Sequence, residues 1–194
     1  MVQRRSLEEL AKDVLDTSLG LGALQYGAFT LSSGQRSSFY FDGRLLTLSP
    51  KGAMLVAEAL LPLVRESGAD AIGGPTLGAD PMVTAVAMLS HQDGGRAIPA
   101  FIVRKESKEH GTGKLIEGPL PPKAKVAIVD DTCSTGGSLV HAIEAAEEAG
   151  CTVVLVATVL DRNQGGSEKL RRDGYAFRAL LEANAEGTIR AAGS

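Results

Sequence analysis

Cysteine is scarce. The 194-residue chain holds two, Cys133 and Cys151, too few for a disulfide framework or a cysteine-based metal set. A basic excess is also absent: 20 Lys and Arg stand against 23 Asp and Glu, a formal net charge of −3. That balance argues against general nucleic-acid binding, which needs cations to neutralise a phosphate backbone. No apolar run is long enough to span a bilayer, and residues 1–6 lack the apolar core of a signal segment. No membrane partner is therefore expected, and the expected location is cytoplasmic. No internal repeat and no second domain stand out. What is present is 44% hydrophobic and 22% charged residues, enough core for one globular domain over residues 1–194.

Hydrophobic spacing predicts a helix over residues 6–18, with Leu7, Leu10, Val14 and Leu15 on one stripe. Glu8 and Glu9 fall in its first turn, where the helix dipole favours acids. Residues 24–42 read as short β segments broken at Ser33 and Gly34. A second helix is expected from Pro50, a favoured first position, to about residue 65. Strands then follow near 69–73, 98–103, 125–129, 152–160 and 176–181, alternating with helices near 79–89, 137–149 and 168–173. Apolar strands separated by helices predict an α/β fold, a parallel β-sheet flanked by helices. Ligands of such sheets bind at the carboxyl ends of the strands. Arg104 and Lys105, Asp130 and Asp131, and Asp161 and Arg162 all fall at such ends. Residues 107–117 carry mixed charge and glycine with little apolar content, which suits a mobile lid. The small, polar tail over 185–194 is expected to be disordered.

The densest chemistry lies in the middle of the second half. Val126, Ala127, Ile128 and Val129 run into two acids, Asp130 and Asp131. Thr132, Cys133, Ser134, Thr135, Gly136, Gly137 and Ser138 follow, and then a helix-like segment. Backbone N–H groups at a helix start attract phosphate, and glycine lets the backbone approach it closely. The hydroxyls can donate to phosphate oxygens, and the acids can accept from a ribose diol. It is not a P-loop, because no Gly-Lys-Ser/Thr closes it. It is not the dinucleotide fingerprint, because the acids precede glycines that lie too close together. Cys133 lies within the loop with no evident base, and Cys151 reads as a small core residue. Basic residues concentrate over 104–114, which suits a small anion better than a polymer.

This stretch closely resembles the phosphoribosyl-diphosphate motif of the type I phosphoribosyltransferases. That motif has four apolar residues, two acids, two variable positions, then Thr/Ser-Thr-Gly-Gly-Ser. Three further segments are similar to the orotate phosphoribosyltransferases in order and spacing. They are the run from Phe29 to Asp42, the run Val103-Arg104-Lys105-Glu106-Ser107-Lys108-Glu109-His110-Gly111, and Leu160-Asp161-Arg162-Asn163-Gln164-Gly165-Gly166. The resemblance spans about residues 19–172. It implies the type I phosphoribosyltransferase fold, with a small N-terminal hood over about 1–45 and the lid over 107–117. It implies reversible, Mg²⁺-dependent transfer of phosphoribosyl from phosphoribosyl diphosphate to orotate. The products are orotidine 5′-phosphate and diphosphate, a step of de novo pyrimidine (UMP) synthesis. It also implies a homodimer with shared active sites.

Breaking the bond between the anomeric carbon and diphosphate develops positive charge on the sugar and negative charge on the leaving group. Catalysis therefore calls for cations at the diphosphate and exclusion of water. By resemblance, Lys108, His110 and Asp131 are the catalytic candidates. Arg104, Lys105, Lys108 and His110 meet the diphosphate, some from the neighbouring subunit, with His110 acting as a cation or passing a proton. Asp130 and Asp131 meet the ribose hydroxyls or metal-bound water, and Thr132 to Ser138 line the sugar phosphate. Mg²⁺ is expected on substrate oxygens, with no direct protein ligand. For orotate, Arg162 faces the polar edge, Ser134 donates from the loop, and Tyr40 and Phe41 lie at the plane of the ring. Side-chain alternation leaves only one of those two rings able to face the base.

Lysines common in the family are absent at Ser32 and near Leu77. The N–H groups over 76–78 are expected to form a nest for diphosphate instead. His141 reads as surface or packing, and His91 closes a helix end. Two competing readings are a purine-accepting transferase and a non-catalytic sensor of phosphoribosyl diphosphate. The lid run together with Leu160-Asp161-Arg162 argues against the first. The absence of a basic DNA-binding segment argues against the second.

Overall fold

The expected alternation of strands and helices is realised as a seven-stranded sheet with helices on both faces. The structure, a computed structural model, describes residues 5–30, 34, 36–106 and 115–193. Helix α1 (Leu7–Gly20) starts on a capping box, in which Ser6 accepts from the Glu9 N–H and Glu9 accepts from the Ser6 N–H. Strands β1 (Leu24–Thr30) and β2 (Arg36–Phe41) form a separate antiparallel ribbon, the hood. Then follow α2 (Gly43–Thr47), α3 (Pro50–Glu66), β3 (Ala71–Pro75), α4 (Asp80–Gln92), β4 (Ala100–Val103) and β5 (Ile116–Glu117). The second half is β6 (Lys125–Cys133), α5 (Gly137–Glu148), β7 (Thr152–Asp161), α6 (Gly166–Arg172), β8 (Phe177–Ala183) and β9 (Ile189–Ala191).

The sheet order is β5-β4-β3-β6-β7-β8-β9. The five central strands are parallel, and both edges are antiparallel. Alternation along β6 shows why the sheet carries helices on both sides. Ala127 and Val129 belong to the core shared with α1, α3 and α4, whereas Val126 and Ile128 belong to the core shared with α5 and α6. All four are fully buried, as an apolar run in a central parallel strand requires. Among the described residues no helix is long and apolar enough to cross a membrane.

Four expectations change. The ladder between β6 and β7 continues through Asp130, Thr132 and Cys133, so the two acids lie within the strand's last turns rather than beyond its end. The short helix α2 occupies a stretch with no sequence-based assignment; Asp42 caps it by accepting from the Arg44 N–H. The tail is not wholly disordered, because β9 pairs with β8 and the Ile189 N–H donates to Tyr26 Oη at 3.0 Å. Ile116 and Glu117, placed in the lid, instead form an edge strand on β4. The rest of the lid over 107–114, including Lys108 and His110, lies outside the described residues.

Candidate active site

Because the central strands are parallel, their carboxyl ends share one edge of the sheet. The loops after β3, β4, β6 and β7 therefore converge there. Asp130 is 6% exposed. Its Oδ2 accepts from Ser138 Oγ at 2.7 Å, and its Oδ1 accepts from the Asp131 N–H at 2.9 Å. Asp131, next along the strand, points towards the opposite face and meets α2. A Cβ on Gly43 would lie 2.6 Å from Asp131 Oδ2, so only glycine fits against that carboxylate. Gly78 likewise leaves room for both acids, since a Cβ there would collide with Asp130 Oδ1. Burial, followed by the neighbouring Asp131, pushes the Asp130 carboxyl up to about 7. Burial also raises Asp131, aided by Asp42 and offset in part by Arg44. An acid pair of this kind, one buried and one half-buried, favours a cation or hydroxyl donors placed between and above the two groups.

Beyond the acids, Gly136 adopts a left-handed conformation (φ 81°) and starts α5 with no side-chain cap. The first N–H groups of that helix are consequently available to an anion. The following loop props this turn: the Arg162 N–H donates to Cys133 O at 2.8 Å, and the Gly166 N–H to Ser134 O at 3.0 Å. Cys133 faces inward. It is 1% exposed within the α5 core, and burial pushes its thiol up to about 12. Its side chain is therefore neither nucleophile nor ligand, which leaves only its backbone to serve the loop.

A cleft of about 360 Å³ gathers Tyr40, Phe41, Lys105, Asp130, Asp131, Thr132 and Ser138. Of the two ring candidates, Tyr40 is on the exposed face of β2 and Phe41 packs into the core. Arg104 follows β4, with its guanidinium 3.7 Å from Glu117 and its N–H bonded to Leu115 O at 2.9 Å. Arg162 falls elsewhere. It lines a second cleft of about 450 Å³ against an earlier stretch of the hood strand, with Ser37, Phe39 and Asn163. Its guanidinium lies 4.5 Å above the Phe39 ring and donates to Ser37 Oγ at 3.1 Å, while the buried Nε has no partner among the described residues. The two clefts meet β2 at different points along its length: residues 36–39 line the Arg162 cleft, and residues 40 and 41 line the acid cleft.

The expected nest is smaller than the sequence implies. The Thr76 N–H continues the sheet by donating to Val103 O at 2.9 Å, which leaves only Leu77 and Gly78 to offer N–H groups. His141 is not merely packing, because its Nε2 lies 2.9 Å from Arg104 O. Sequence reasoning also missed Arg44, which lines the acid cleft and holds Asp42 through two hydrogen bonds of 3.0 and 3.1 Å. Nothing in its local pattern marks it, since its role depends on the α2 turn. Among the described residues no three His, Cys, Asp or Glu side chains group as metal ligands.

Comparison with known proteins agrees with this geometry. The phosphoribosyl transferase domain model matches residues 46–180. The orotate phosphoribosyltransferase of Nostoc sp. is 45% identical over 173 residues, covering 89% of this chain and 82% of that protein. The Mycobacterium tuberculosis H37Rv orotate phosphoribosyltransferase in complex with Fe(III) dicitrate superposes with a TM-score of 0.75 at 37% identity, covering 91% of this chain and 95% of that one. The same enzyme in complex with 5-phospho-α-D-ribosyl 1-diphosphate gives a TM-score of 0.71 at 35% identity, with the same coverage.

Proposed function

This chain belongs to the orotate phosphoribosyltransferases of the phosphoribosyl transferase domain family, and we propose that the cleft at Asp130 and Asp131 is its phosphoribosyl-diphosphate site. The enzyme is a glycosyltransferase of pyrimidine nucleotide synthesis, transferring phosphoribosyl to orotate. The observation that carries the site reading is one juxtaposition. A buried acid and a half-buried one, an uncapped helix start bearing hydroxyls, and Lys105 surround the same cleft.

In this reading the helix start and the hydroxyls of Thr132, Ser134, Thr135 and Ser138 hold the sugar phosphate. Asp130 and Asp131 orient the ribose diol and oppose the positive charge that develops on the sugar. Arg104 and Lys105 draw diphosphate away from the anomeric carbon, with Lys108 and His110 as the remaining proposed cations. Mg²⁺ would be held on diphosphate and ribose oxygens, with Asp130 and Asp131 reaching its bound water, and would supply charge neutralisation at the diphosphate. Arg162 and Ser134 are proposed to meet orotate, and Tyr40 to flank it.

The test is diphosphate release with Mg²⁺ and phosphoribosyl diphosphate, offering orotate, adenine, hypoxanthine and uracil in parallel. Orotate is expected to exceed the others by at least about 100-fold, because a site built to pair an anion discriminates strongly against ligands lacking it. Comparable rates with a purine would overturn the assignment of the base.

A homodimer with shared sites belongs to the same proposal, with Lys108 reaching the partner's phosphate loop. Lys108→Ala and Asp131→Asn subunits, each inactive alone, should regain activity when mixed and allowed to exchange. Exchange without recovery would place Lys108 in its own subunit's site.

A further inference from the structure

Helix α5 does more than present its N-terminus. Ser138 and His141 are three residues apart and so lie on one helical face. Ser138 bonds Asp130 on β6 at 2.7 Å, and His141 Nε2 meets the carbonyl of Arg104, just beyond β4, at 2.9 Å. Those strands are not neighbours, because β3 lies between them. Their ends are therefore about 10 Å apart, two strand spacings. One helix face thus bridges the anion-binding loop and the start of the cationic segment.

The Arg104 carbonyl is an acceptor only, so His141 must carry its proton on Nε2. On its other side Arg104 is held by its N–H bond to Leu115 O. These two bonds fix the peptide from which Lys105 departs into the cleft. His141 is half-buried and is not among the residues lining that cleft.

We propose that His141 is a positioning residue that sets Arg104 and Lys105 at the correct distance from the phosphate loop, and so governs phosphoribosyl diphosphate and not the base. The proposal rests on the phosphoribosyl-diphosphate reading of the acid cleft. His141→Leu keeps the bulk but strands the Arg104 carbonyl. His141→Asn is polar but too short to reach it. His141→Gln places an amide N–H close to the position of Nε2.

The Leu and Asn variants should raise the Michaelis constant for phosphoribosyl diphosphate about fivefold to tenfold, the effect of one lost hydrogen bond. The constant for orotate should stay within about twofold, on the same scale. Gln should restore the wild-type value. Amide exchange, which needs no substrate, should accelerate in peptides covering residues 104–106 and 115–117 in the Leu and Asn variants, and not in α5. Equal effects on both substrates, failure of Gln to rescue, or unchanged exchange would each overturn the role. Wild-type protein inactive with orotate would sink the functional reading instead, while the exchange comparison would still judge His141.

Discussion

Asp130→Asn should yield a protein that is more stable than wild type and nearly inactive. The carboxylate is buried among β6, α5 and Gly78, and burial is the main reason its proton is held so tightly. Asparagine keeps the shape and removes the charge. Its carbonyl still accepts from the Asp131 N–H, and the Ser138 hydroxyl can turn to accept from the new amide. A carboxylate forced to ionise here costs about 1.4 kcal/mol for each pKa unit by which it is raised. After the cost of burying an amide, a gain of about 1–3 kcal/mol is expected near pH 8, measurable as a higher urea midpoint with an unchanged slope. Turnover should fall about 100-fold, because a preorganised charge facing the developing sugar cation is gone. A variant less stable than wild type, or one that retains full turnover, would contradict this account of the acid pair.

The same pair fixes the sign of the pH dependence. An unfolded aspartate releases its proton near pH 4, whereas folded Asp130 holds it to about 7. Between those limits the folded state binds more protons, so stability falls as pH rises. The melting temperature of wild type should therefore climb as pH is lowered from 7.5 towards 5, and that slope should flatten in Asp130→Asn. Catalysis needs the ionised acids, so kcat/KM for phosphoribosyl diphosphate should move the other way and rise through about pH 7. Opposed slopes in one window identify a charge retained for function at the expense of stability.

What was legible in the sequence follows the physics that each feature depends on. The apolar run from Val126 to Val129 and the short apolar strands separated by helices are local signals, and they predicted the sheet and its two helical layers. The acids and hydroxyls from Asp130 to Ser138 are contiguous in sequence; Asp130, Asp131, Thr132 and Ser138 line one cleft, while Ser134 and Thr135 are not in its lining. Helix α2 escaped because five residues carry too little periodicity, and its cap, Asp42, also ends a strand-like run. Strand β9 escaped because its pairing with β8 and Tyr26 is tertiary, while its own three residues are too few to show a period. The bridge from His141 to Arg104 spans 37 positions, and no local pattern reports it. Arg162 was recognisable by type, but where along β2 it settles depends on the Phe39 ring beneath it.

That placement sharpens the second large effect. Arg162→Ala should raise the Michaelis constant for orotate about 10- to 100-fold, the loss of a charge-assisted hydrogen bond to an anion. The constant for phosphoribosyl diphosphate should change by less than about threefold, since no such charged contact to it is lost. The structure adds a second consequence, because the same guanidinium braces the hood through Ser37 and Phe39. Removing it should also cost about 1–2 kcal/mol of stability, from one hydrogen bond and one cation–ring contact. Ser37→Ala separates the two roles: it deletes the brace to the hydroxyl and leaves the cation, so orotate should bind nearly as in wild type. Arg162→Lys keeps charge but not the planar fork, and should rescue little of the orotate defect. The guanidinium lines the cleft of about 450 Å³, which leaves it open to a planar anion. If Arg162→Ala raises both Michaelis constants equally, or Ser37→Ala reproduces the orotate defect, Arg162 is a hood brace and the base is held by other groups.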